Sequence, residues 1–132
     1  MLTHLPLMVV PFILYNVGLA GLFGGADPWG RELFSLTMIS GGVWSMTLGD
    51  VMILAALALL FIEVLKSTRT SNASVLDHLL SLGVFVLFLV EFLLVQGAAT
   101  SLFFVLTAVA LVDVLAGFAV SLRAASRDVN LR

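Results

Sequence analysis

Four stretches of the chain, at about 5–23, 44–65, 76–96 and 101–122, are almost unbroken apolar runs, and polar or small residues gather between them. Because about 20 apolar residues carry a helix across the hydrocarbon core, each run predicts a transmembrane helix. The segment between the first two runs has another rhythm. Trp29, Leu33 and Leu36 recur at spacings of four and three while Arg31 and Glu32 fall elsewhere, which predicts a short interfacial helix at about 28–40. Asp27 would cap it, Pro28 would take its first helical position, and Gly41-Gly42 would turn the chain into the second span. The alternative is one long tilted helix running through Gly41-Gly42. The expected fold is all-α: a four-transmembrane-helix bundle with an additional short interfacial helix before the second span, residues 1–132 forming a single integral membrane domain.

Local signals refine these elements. Ser74 followed by Asp77 looks like a capping box at the start of the third span. GAAT between the third and fourth spans is short enough to force a tight antiparallel hairpin. Pro11 is expected to kink the first span, and Gly18, Gly21 and Gly25 to allow close backbone approach near its outer end. On the third span Asp77, Ser81, Val84, Phe88 and Glu91 share a face. On the fourth, Ala110, Asp113, Gly117 and Ser121 form a narrow stripe of mainly small and polar residues expected to turn inward.

Composition places these helices in a bilayer. The chain is 61% hydrophobic and 11% charged, against about half and a quarter in soluble domains. The absence of cysteine excludes disulfides, thiol catalysis and cysteine-ligated zinc or iron–sulfur centres. A net charge of -2 with six Lys and Arg leaves no basic patch for a nucleic-acid backbone, so nucleic acid is not an expected partner. Lys66 and Arg69 follow the second span, and Arg123, Arg127 and Arg132 follow the fourth. These five fall on one side with both termini, which the positive-inside rule makes the cytoplasm. The first run lacks the basic n-region of a signal peptide and is expected to be retained as a helix.

Candidate chemistry is confined to a few polar residues at membrane depth. An acid at mid-bilayer costs about 2.5–3.5 kcal/mol, so Asp50, Glu63, Glu91 and Asp113 each need a proton, a partner or a place near an end. Glu63 is expected near the cytoplasmic interface, in an ion pair with Lys66 or Arg69. Asp50 and Glu91 lie at similar depth from the outer face. If they faced each other they would hold at least one proton between them and form a proton or cation site. The alternative is two separate acids, each hydrogen-bonded to its own surroundings. Asp113 lies near the midplane, where Asn16, with Tyr15 beside it, is the expected partner. His4 and His78 sit at the cytoplasmic end and are weighed as haem ligands, with solvation or capping the plainer role. Trp29 and Trp44 are expected to be interface anchors. With no nucleophile-and-base pair, HExxH, phosphate loop or metal motif, no enzyme activity, metal or cofactor is expected.

RTSNASVLDHLLSLGVFVLFLVEFLLV together with ALVDVLAGFAVSLRAASRD resembles a group of uncharacterised small four-helix integral membrane proteins of alphaproteobacteria. The resemblance implies a location in the bacterial inner membrane and assigns no role to Asp77, Glu91 or Asp113. Small multidrug transporters are of similar length but carry a working glutamate in the first span, which has no acid here. Two functions are therefore expected of this chain. One is an accessory or scaffold subunit of a larger inner-membrane complex, partnered by the lipid bilayer and by another membrane protein or itself. The other is a homo-oligomeric proton- or cation-coupled carrier or channel using the intramembrane carboxylates.

Overall fold

The computed structural model describes residues 6–22, 28–66 and 72–130. These residues form α1 (Val9–Leu19), β1 (Glu32–Thr37), β2 (Val43–Thr47), α2 (Leu48–Lys66), α3 (Asn72–Leu94) and α4 (Ser101–Asn130), with 3-10 turns at Pro28–Gly30 and Gln96–Ala98. Among them Leu48–Lys66, Leu76–Leu94 and Ser101–Val120 are 19, 19 and 20 residues long, with mean hydropathy 2.4, 2.0 and 2.4. At about 1.5 Å per residue each covers about 28–30 Å, the thickness of a hydrocarbon core. Length and hydropathy together make this a helical membrane protein.

The centre of the bundle is α4, on which α2 and α3 each chiefly pack. The short link expected between the third and fourth spans is a 3-10 turn that folds α3 back on α4, with Ala98 fully buried. Thr100 begins α4 by accepting the Phe103 N–H at 3.2 Å, a side-chain N-cap. The two inward stripes are where the periodicity puts them. Ser81, Val84, Phe88 and Glu91 are buried on α3, as are Ala110, Asp113 and Gly117 on α4. Since α3 begins at Asn72, Ser74 falls inside the helix rather than at its N-cap.

The first helix is shorter than its apolar run. Val9–Leu19 has 11 residues, about 16 Å of helix, which is too little to cross the bilayer alone. Its end is chemical: Gly21 adopts φ 86, its N–H reaches the Gly18 carbonyl, and the Leu22 N–H reaches the Val17 carbonyl at 3.3 Å. That is a Schellman termination, for which glycine is favoured because it has no side chain to clash at positive φ. Gly21 therefore ends the helix rather than packing it. Pro11 falls in the first turn, where the missing N–H has no helical partner to lose, and so it needs no kink. Gly25 and Asp27 lie outside the described residues, as do His4 and Arg69.

The interfacial helix expected at about 28–40 is instead a single turn followed by a hairpin. β1 and β2 pair antiparallel, with Phe34 opposite Met46, Ser35 opposite Ser45, Leu36 opposite Trp44 and Thr37 opposite Val43. The alternation explains it. Phe34 and Leu36 share one face with Trp44 and Met46, while Ser35 and Thr37 share the other with Ser45 and Val43, the period-2 pattern of a strand. Gly41 at φ 91 makes the turn, donating to the Met38 carbonyl at 2.9 Å while the Met38 N–H reaches the Gly42 carbonyl at 2.7 Å. This is the three-residue hairpin loop with a left-handed glycine. Consequently Trp44 lies on a strand and the second helix begins at Leu48.

Aromatic rings fill the core near the α3–α4 turn. Tyr15 stacks on Trp29 with centroids 5.5 Å apart and meets Phe103 at 4.7 Å. Phe103 contacts Phe88 at 5.3 Å, which meets Phe12 edge-on at 5.1 Å. Trp29 is thus a core residue, not the interface anchor expected. Gly18 admits it, since a Cβ there would lie 2.6 Å from Trp29 Cζ2.

Candidate functional site

Each membrane-depth polar residue has distinct surroundings. Asp50 sits in the first turn of α2, where Thr47 N–H donates to Asp50 Oδ2 at 3.1 Å and Asp50 N–H donates to Thr47 Oγ1 at 3.2 Å. This reciprocal pair is a capping box, with aspartate in the place usually held by glutamate. Asp50 borders an open groove of about 360 Å³ between α2 and α4, with Tyr15, Trp29 and Thr100 also in its wall. Glu91 stands on the buried face of α3, and its Oε2 is enclosed without a hydrogen-bond partner. Of the two arrangements expected for Asp50 and Glu91, the facing pair is not formed: Asp50 is engaged by Thr47, and its helix and that of Glu91 each pack chiefly on α4.

Nor do Tyr15 and Asn16 meet Asp113. Tyr15 O–H donates to the Gly97 carbonyl at 3.0 Å and lies 2.8 Å from Thr100 Oγ1, tying α1 to the α3–α4 turn. Asn16 Nδ2 donates to the Phe12 carbonyl of its own helix at 2.8 Å. Thr100 and Asp113 are separated along α4 by about 20 Å, so α1 holds its polar residues at the far end of the bundle from Asp113.

Asp113 belongs to a second group. Glu63 and Lys66 of α2, Asp77, His78 and Ser81 of α3, and Asp113 and Gly117 of α4 line one narrow cleft. Glu63 Oε1 accepts from Lys66 Nζ at 3.1 Å and from the Leu7 N–H at 3.0 Å. The expected Glu63–Lys66 ion pair is therefore present. Yet Glu63 is not the exposed acid that a place near the interface implies: it is only 6% exposed, and it also anchors the backbone leading into α1. Asp113 is 4% exposed, Ser81 approaches its carboxyl, and Oδ2 is buried with no hydrogen-bond partner. The space left is about 10 Å³, about the least that admits one water-sized occupant.

The spacing of these residues holds a signal for the cleft. Measured from the ends nearest the α3–α4 turn, Glu63 lies about 22 Å along α2, Ser81 about 20 Å along α3 and Asp113 about 18 Å along α4. One reference face brings all three to one level, whereas measuring Glu63 from the opposite end of its helix conceals it. No cluster of three or more His, Cys, Asp or Glu suited to a metal ion occurs among the described residues. Compared with known protein families, curated proteins and solved structures, the chain matches none.

Proposed function

We propose that this protein is an accessory or scaffold subunit of a larger assembly in a bacterial inner membrane, with both termini cytoplasmic and no catalysis of its own. The β1–β2 hairpin carries this reading. Phe34, Leu36 and Trp44 share one of its faces and are 44%, 51% and 41% exposed. A lone two-stranded hairpin is at best marginally stable in water, and an apolar face of this kind suits burial against another membrane protein. The basic residues after the second and fourth spans, and the resemblance to small four-helix proteins of alphaproteobacteria, support the orientation and location.

Native mass spectrometry of the tagged protein, extracted gently from its own membranes, tests the reading. A larger membrane protein should accompany it in fixed stoichiometry and be lost when Phe34→Ser and Leu36→Ser are combined. The lipid-side change Leu57→Ser, on α2, should leave it bound. Recovery of the chain only as a monomer or homo-oligomer would defeat the subunit reading.

A homo-oligomeric proton- or cation-coupled carrier or channel is the second reading, favoured by the enclosed Asp113 carboxylate. Ion flux in proteoliposomes that disappears in Asp113→Asn supports it, and flux equal to that of empty vesicles removes it.

A further inference from the structure

We propose that the cleft between α2, α3 and α4 binds one small monovalent cation, a sodium ion or a proton, with the Asp113 carboxylate as its principal ligand. Three features of the cleft define the ligand. The first is the unmet oxygen: Asp113 is 4% exposed, lines the cleft and keeps Oδ2 without a hydrogen-bond partner. A carboxylate taken out of water without compensation is costly, and at membrane depth no solvent is at hand to supply it. A cation on Oδ2 removes that cost.

The second feature is charge. Glu63, Asp77 and Asp113 bring three carboxyl groups to the cleft, against the Lys66 ammonium and His78. Lys66 is paired with Glu63, and its charge also acts on Asp113. The carboxyl groups outnumber the one ammonium, a balance that repels anions and favours a further positive charge. The third is size and donor type. About 10 Å³ admits one water-sized occupant. Calcium takes six to eight oxygens and magnesium keeps several of its waters, more than this space supplies; a proton needs only the Asp113 oxygen, and sodium would need further oxygens of the cleft beside Asp113 and Ser81. The Ser81 hydroxyl, which approaches the Asp113 carboxyl, retains lone pairs for a cation. Asp77 and His78 are half-buried and complete the wall of the cleft. The site is remote from the hairpin and does not depend on what the hairpin meets.

Infrared difference spectroscopy of the full chain in lipid bilayers tests the site and separates its two forms. In one exchange sodium replaces choline at constant pH and ionic strength; in the other, pH is stepped in choline alone. A sodium site shifts a carboxylate band on the first exchange, and a proton site raises a protonated-carboxyl band on the second without regard to sodium. In either case the band should vanish in Asp113→Asn and persist in Asp77→Asn. Ser81→Ala keeps the carboxylate and should move the midpoint by about three- to tenfold, the effect of one lost hydrogen bond or ligand. The site is overturned if neither exchange produces a band that Asp113→Asn removes. Should Asp113→Asn fail to fold, carboxyl-13C aspartate in the otherwise unaltered protein and in Ser81→Ala decides. No isotope-shifted band, or one with the same midpoint in both proteins, overturns the site equally.

Discussion

Thr47 and Asp50 satisfy each other's backbone amides at the start of α2, so Asp50→Ala, which leaves the Thr47 N–H without its acceptor, should lower stability by about 0.5–1.5 kcal/mol, the usual cost of one lost hydrogen bond. Denaturant titration followed by circular dichroism reads this, and the cation response of the Asp113 cleft should be unchanged. Tyr15→Phe keeps the stack on Trp29 but removes the hydroxyl shared with Gly97 and Thr100. It should cost about 0.5–1.5 kcal/mol, with faster amide exchange around the α3–α4 turn. A loss no larger than that of a surface change such as Val86→Ala would mean that these bonds do not hold α1 in place. At this scale the sequence shows which residues are costly at membrane depth but not whom they meet. Asp50 illustrates the limit: its depth suggests a partner across the bundle, yet its hydrogen-bond partner is a threonine three residues away.

Among the elements, α1 depends most on its neighbours. Its 11 residues are held at one end by Glu63 and at the other by the fit of Gly18 against Trp29. Gly18→Ala sets a methyl against the indole and should destabilise by about 1–3 kcal/mol through overpacking. Trp29→Phe in the same protein should recover part of that loss, and thermal unfolding of the single and double variants measures it. Glu63→Ala removes the acceptor of both the Leu7 amide and Lys66, so protection of the amides at the start of α1 should fall more than that of α4. Equal loss in both would place Glu63 in the bundle as a whole rather than at the α1 dock. The hairpin teaches a different lesson. Its period-2 alternation and its Ile39-Ser40-Gly41 turn are present in the sequence, but Trp29, Leu33 and Leu36 also satisfy a helical spacing. Short segments often fit both periods, and here pairing across the glycine turn decides between them.

At the scale of the whole molecule, the central α4 and the hairpin at one end make the two ends of the bundle chemically different. The expected orientation puts the hairpin outside the cytoplasm. Because the chain has no cysteine, single replacements report the side without background. Ile39→Cys should react with an impermeant maleimide added to intact spheroplasts, and Lys66→Cys only after the membrane is opened. The reverse pattern would invert the orientation.

The sequence by itself determined that the chain enters a membrane, where its three long helices run, and which faces of α3 and α4 are buried. These follow from local composition and from the 3.6-residue period, which survive whatever the helices pack against. It also contained the Glu63–Lys66 pair, because residues three apart on a helix meet without help from any other element. Only the tertiary structure decided that Glu63 anchors α1, that Trp29 is core, and that Asp113 joins Glu63 and Ser81 rather than Asn16. Those outcomes depend on the order in which helices pack and on the level at which their residues meet, and no single helix encodes either.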